Sequence, residues 1–264
     1  MTYFQFLALF VVVPIVGLAL LLARDRRRGV DRPAALHGLG AAPAIGLHVL
    51  LAVGYTTPWD NYLVANGVWW YNPRLVAGLT LGWVPLEEYL FFVLHTILTG
   101  LWVVWLAARV AHRAAWRPRP RARLGAVALG GAVWLASVAA LVAGGPGFTY
   151  LGLILAWMLV PLLVQLAFGA DILLRYRGLV LGGIAVPATY LAAADALAIA
   201  QGIWTIAPAR SLGVRLLPTL PLEEAVFFVV TNTLITCGLV LALAKESRAR
   251  FAAWRRKAPA ARWT

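Results

Sequence analysis

The chain has 264 residues, 62% of them hydrophobic, a mean hydropathy of +0.82 and a formal charge of +13. So many long apolar runs cannot all hide in one small soluble core, and runs of ~18 or more residues with few charges read as membrane spans. The basic residues cluster between these runs instead of forming one patch, so the charge points away from nucleic acid.

In chain order the expected spans are residues 3–23, 34–55, 84–108, 124–143, 149–170, 178–200 and 219–244. Leu, Ala and Val dominate them without period-2 alternation, so they are read as helices and not as barrel strands. The first span lacks a basic segment before it, which favours a retained span over a cleaved signal peptide. Arginines follow the first span (Arg24 to Arg32), separate the third from the fourth (Arg109 to Arg123), follow the fifth (Arg175, Arg177) and fill the tail from Lys245 to Arg262. Of the 23 Lys and Arg only Arg74, Arg210 and Arg215 fall on the opposite side. This asymmetry predicts an N-terminus outside and a C-terminus in the cytoplasm of a cell membrane. The tail FAAWRRKAPAARW is expected either to lie on anionic lipid or to be simply solvated. Cys237 is the single cysteine, so neither a disulfide framework nor a cysteine metal site is expected.

The chain also repeats itself. TYFQFLALFVVVP (2–14) aligns with TYLGLILAWMLVP (149–161), and DNYLVANGVWWYNP (60–73) with DALAIAQGIWTIAP (195–208). Gly78 matches Gly213, and PLEEYLFF (85–92) matches PLEEAVFF (221–228). Shared apolar composition would not place Asp, Gly, Trp, Pro and two glutamates in one order. The expected architecture is all-α: a first repeat of three spans (1–108), a basic loop and linking span (109–148), a second repeat of three spans (149–244) and a basic tail (245–264). Three spans per repeat plus one linking span give both repeats the same orientation, with a two-fold axis along the membrane normal. RPRPR (117–121) reads as a hinge between them.

Four of the ten acids, Asp25, Asp31, Asp171 and Glu246, sit among arginines; Asp171 has the spacing for a helical pair with Arg175. The other six form repeat-matched pairs: Asp60 with Asp195, Glu87 with Glu223, Glu88 with Glu224. A charge at a helix centre in lipid costs about 2.5 kcal/mol or more. One Pro-x-Glu-Glu alone reads as an ordinary helix start. However, adjacent glutamates lie about 100° apart on a helix and cannot share one capping role. Phe91, Phe92, Phe227 and Phe228 follow one turn on, and Trp69, Tyr71 and Trp204 precede; an interfacial belt of Trp and Tyr accounts for some of these rings. Carboxyl groups in an apolar site can hold a proton and act as general acids, and aromatic faces stabilise cations. Together they suit protonation of an alkene and control of the resulting carbocation. His95 shares the stripe of Glu88 and is read as a proton relay or as a polar contact between helices. No metal spacing is evident.

These motifs resemble the small-membrane-protein type of lycopene cyclase, in its fused single-chain form, over nearly the whole length. The resemblance implies a β-cyclase without cofactor. The terminal double bond of a ψ end group of lycopene is protonated, the 5,6 double bond attacks the C1 cation, and a proton leaves C6, with no net redox change. It implies Glu87, Glu88, Glu223 and Glu224 as acid, base or cation stabilisers, and Asp60, Trp69, Tyr71, Phe91, Phe92, His95, Asp195, Trp204, Phe227 and Phe228 as substrate contacts. Lycopene, the bilayer and other carotenoid-pathway enzymes are the implied partners. Asn61 and Tyr71 become Ala196 and Ile206 in the second repeat, so the repeats are not chemically identical. The flavin-dependent cyclase class would need a dinucleotide fold, and GLGAAP (38–43) follows no strand. Intramembrane acids within repeats also fit a proton-coupled transporter. A retinal receptor is disfavoured because Lys245 and Lys257, the two lysines, both lie in the tail.

Overall fold

The computed structural model describes residues 1–110 and 116–257. Arg113 of the basic loop and Arg262 of the tail fall outside the described residues. Seven helices are long and apolar enough to cross a membrane: α1 (Tyr3–Arg27), α2 (Ala41–Ala65), α3 (Leu86–Ala107), α4 (Pro120–Ala143), α5 (Thr149–Arg175), α6 (Arg177–Ala200) and α7 (Leu222–Leu243). A further helix, α8 (Lys245–Lys257), follows α7. The fold is thus an all-α polytopic membrane protein.

The largest departure from the sequence reading is α2, expected at 34–55. Its start is delayed because Ala34–Leu36 forms a 3-10 turn. The backbone N–H groups of Gly38 and Leu39 then cap the end of α7 at Leu243 O (2.6 Å) and Ala242 O (3.0 Å). Its end is extended through a polar stretch that bonds back onto the helix. Thr56 and Thr57 hydroxyls donate to Ala52 O and Val53 O, both at 2.6 Å, and the Asn61 amide donates to Thr57 O at 2.9 Å. Asp60 therefore lies on a helix and is 1% exposed, not in a loop.

The prolines in α1 and α5 locate contacts to α6 and α2. Proline has no N–H, so the carbonyl four residues earlier loses its helical donor. In lipid, such an orphan is costly unless another group satisfies it. Pro14 frees Phe10 O, and the Tyr190 hydroxyl of α6 donates to it at 2.9 Å. Pro161 frees Trp157 O, and the Tyr55 hydroxyl of α2 donates to it at 2.8 Å. Pro14 matches Pro161 and Tyr55 matches Tyr190 in the repeat alignment, so each half closes the defect of the other. α1 also carries a π-helical turn at Ala8–Val12, just before its proline.

The segments expected as aromatic loops contain short strands. β1 (Trp69–Tyr71) pairs antiparallel with β4 (Trp204–Ile206). The register sets Trp69 against Ile206, Trp70 against Thr205 and Tyr71 against Trp204. Two flanking bonds extend the pairing, Asn72 N to Ile203 O and Ala207 N to Val68 O, both at 2.9 Å. Between them, β2 (Thr80–Leu81) and β3 (Val84–Pro85) form a hairpin ahead of α3.

That hairpin turns at Gly82, with φ +70°, where an added Cβ would lie 2.2 Å from Asn61 Oδ1. Asn61 Oδ1 accepts from Trp83 N at 2.7 Å, and the Asn61 amide donates to the Tyr89 hydroxyl at 2.8 Å. Asn61 therefore locks the hairpin. Gly82→Ala is expected to cost about 1–3 kcal/mol through the left-handed backbone and the displaced amide, read as a lower unfolding temperature of the detergent-solubilised protein.

At the arginine-rich end, the acids pair as expected in kind but not always in partner. Asp25 pairs with Arg109. Asp171 does not serve its helical neighbour. Arg250 of α8 grips it at 2.7 and 2.9 Å, and the Arg119 N–H donates to it at 2.9 Å. Arg175 instead pairs with Glu246 of α8, which also accepts from the Tyr176 hydroxyl. These contacts hold α8 beneath the bundle with Phe251 and Trp254 exposed. GLGAAP is the turn and first residues of α2, with no strand before it.

Candidate active site

Six polar side chains converge at the end of the bundle opposite the arginines. Glu87 and Glu88 lie in the first turn of α3, Glu223 and Glu224 in the first turn of α7. Asp60 and Asp195 lie in the closing turns of α2 and α6.

The adjacent glutamates take different directions, as their helical spacing requires. Glu87 Oε1 accepts from the Ala77 N–H at 2.6 Å, and Glu223 Oε1 from the Leu212 N–H at 2.7 Å. Both are fully buried and pin the loop that precedes their helix. Ala77 and Leu212 are themselves repeat-matched, each followed by a positive-φ glycine, Gly78 or Gly213. Glu88 and Glu224 turn to a shared cavity. Glu88 Oε2 accepts from the Tyr3 hydroxyl at 2.6 Å, and Glu224 Oε1 from the Tyr150 hydroxyl at 2.8 Å.

The cavity is narrow, with about 40 Å³ open to the centre of a water-sized sphere. Its wall includes Asp60, Trp69, Tyr71, Phe91, Phe92, Asp195, Trp204, Phe227 and Phe228, so most residues expected as substrate contacts are drawn together. His95 is not among them; it is buried below, its ring 5.3 Å from that of Phe91. Glu87 and Glu223 also lie outside the wall.

The rings interlock across the halves. Trp204 stands 5.0 Å from Tyr3, and Trp69 stands 5.4 Å from Tyr150, centroid to centroid. Each tryptophan therefore leans on the tyrosine that holds the other half's glutamate. Trp59 lies parallel to Phe227 at 5.9 Å, and Phe91 meets Phe228 edge-on at 6.3 Å. The two aspartates differ. Asp195 Oδ1 accepts from the Trp204 indole at 3.0 Å, whereas the Trp69 indole donates to the Tyr71 hydroxyl at 3.1 Å. Tyr71 has Ile206 at its matched position, so the second tryptophan is free to serve the aspartate. Asp60 Oδ2 and Asp195 Oδ2 are buried without hydrogen-bond partners among the described residues.

Tyr3, Tyr150 and Trp59 were missed by sequence reasoning. Tyr3 and Tyr150 open the two aligned segments TYFQ and TYLG, so the alignment itself carried the signal; the distant pairing to the glutamates did not show in it. Among the described residues, no three ligating side chains are grouped to hold a metal.

A polytopic helical membrane protein with paired carboxyl groups in an aromatic pocket is equipped for acid–base chemistry on an apolar molecule. A family model described as lycopene cyclase matches residues 1–106 and 147–242, leaving out the stretch that contains α4. The chain is 42% identical over 246 residues to lycopene beta-cyclases of two Halobacterium salinarum strains, covering 91% of this chain and 95% of theirs. It is 36% identical over 205 residues to a bifunctional lycopene cyclase/phytoene synthase of Podospora anserina, covering 75% of this chain and 34% of that protein. No solved structure matches. The chain belongs to the lycopene cyclase family.

Proposed function

We propose that this protein closes β-ionone rings on the ψ end groups of lycopene, using Glu88 and Glu224 as one acid–base pair. The carrying observation is that these two glutamates, from different halves and each held by a buried phenol, face a single aromatic cavity. One carboxyl protonates C2 of the terminal double bond and leaves the cation at C1. The 5,6 double bond attacks, the C1–C6 bond forms, and the cation moves to C5. The second carboxylate removes the C6 proton, and the 5,6 double bond returns within the ring. Trp59, Trp69, Trp204 and Phe228 offer π faces to the cation. The narrow cavity keeps water from capturing it.

Glu87 and Glu223 serve as loop anchors in this reading. Asp60 and Asp195 line the same cavity and offer carboxyl oxygens toward the cation. The halves are related by a pseudo-two-fold axis through the β1–β4 pair: the register, the matched prolines and the matched glutamate bonds all follow that symmetry. The acid-bearing end faces outward and the arginine-rich end the cytoplasm, as the positive-inside distribution favours. A proton-coupled transporter is not favoured by the family to which the chain belongs.

The deciding experiment is expression in a lycopene-accumulating bacterium with chromatography of the pigments. Monocyclic and bicyclic β-ring products are expected; unchanged lycopene, with the protein verified in the membrane, would refute the assignment. Tyr3→Phe and Tyr150→Phe remove the bond that orients each carboxyl. Each is expected to lower kcat by about 10- to 100-fold, the size of a hydrogen bond to a charged group, with KM little changed.

A further inference from the structure

Beneath the acid cavity lies a second space, a groove between α2, α3, α5 and α7, with about 210 Å³ open to the centre of a water-sized sphere. Its wall is mainly apolar and includes Leu51, Ala52, Met158, Pro161 and Leu234. Phe92 and Phe227 line both the groove and the acid cavity, so the two spaces adjoin across these rings. Along α2 the groove runs from Thr56, one turn from Asp60, to His48, twelve residues from Asp60 and thus ~18 Å along the helix axis.

The repeat alignment predicts a twin groove on the other side of the seam, but its positions are filled. Leu191 stands where the groove has Thr56, and Pro187 where it has Ala52; both are buried. Gly183 replaces His48, and an added Cβ there would lie only 2.6 Å from Thr236 Cγ2. The two halves thus share one cavity, and the groove side alone is left open at these matched positions.

We infer that this groove is the binding site for the conjugated chain of the substrate, entered from the bilayer, while the end group occupies the acid cavity. The inference rests on the proposed cyclase reading. A long, rigid hydrocarbon needs a lined path continuous with the reacting site, and the groove adjoins that site through Phe92 and Phe227. It also explains why the matched grooves diverged: a chain with one end group in a single cavity needs one lane, and packing fills the other.

The test uses the full chain reconstituted in vesicles of a single neutral phospholipid. Ala52→Trp and Thr231→Trp each plug the groove from a different helix, and Thr56→Leu places there the residue type of the filled side. Lycopene binding is read from induced circular dichroism in its visible absorption bands, and turnover from pigment chromatography. Both are expected to fall at least tenfold in the Trp variants, and less in Thr56→Leu, with unfolding temperature held near that of the unmodified chain. Undiminished binding and turnover would overturn the inference and leave the groove to a lipid acyl chain. Lost turnover with unchanged binding would overturn it as well. Binding without cyclisation by the unmodified chain, abolished by the plugs, would refute the cyclase reading and leave the groove assignment standing.

Discussion

Glu88→Gln and Glu224→Gln are each expected to reduce ring formation by about 10²- to 10⁴-fold, the usual contribution of a positioned general acid or base. The amide oxygen can still accept from Tyr3 or Tyr150, so the substitution removes the exchangeable carboxyl proton while keeping the shape and the phenol contact. Glu87→Gln and Glu223→Gln are expected to retain most activity, because an amide oxygen serves the Ala77 or Leu212 N–H as a carboxylate does. Glu87→Ala leaves that buried N–H unpaired and is expected to lose about 1–3 kcal/mol of stability. Measuring β-ring product per unit of membrane protein separates the two classes. Equal loss in Glu87→Gln and Glu88→Gln would refute the division of labour between adjacent glutamates.

The second large effect concerns the halves. If the chain is cut between Arg117 and Pro118 and the two pieces are expressed together, cyclisation is expected to persist; either piece alone is expected to give no product. Each piece brings one cavity-facing glutamate, the tyrosine that holds it and one strand of the β1–β4 pair. Pro161 lies on the second piece and its compensating Tyr55 on the first; Pro14 and Tyr190 are divided the opposite way. A lone piece therefore leaves a proline-orphaned carbonyl in lipid and half a cavity. Product from either piece alone, by the same chromatography, would show two independent sites.

Much of this architecture is legible in the sequence. Lipid demands internal hydrogen bonding, so seven apolar runs could be read as helices with little ambiguity. The repeat-matched acids pointed to one end of the bundle for the same reason: unpaired carboxyls do not recur in apolar sequence by composition alone. What could not be read was the end of α2, because Thr56, Thr57 and Asn61 look like loop residues until their side chains are seen to bond to the helix's own carbonyls. Nor did the spacing of Glu87 and Glu88 say which faces inward; that depends on the loop N–H groups that claim one of them. Asp171 shows the same limit, since the i, i+4 rule offers Arg175, while Arg250 of α8, 79 positions away, holds it with two hydrogen bonds. The tyrosine–glutamate pairs join residues 85 and 74 positions apart, a distance at which local pattern carries no information.

The strand pair across the seam has a consequence for supply. Its backbone hydrogen bonds join the two halves at the wall of the cavity, much as a lintel closes a doorway, while the proposed groove lies between α2, α3, α5 and α7. A water-insoluble pigment would then reach the carboxyls by two-dimensional diffusion, without crossing the aqueous phase, and throughput would scale with its surface density in the leaflet.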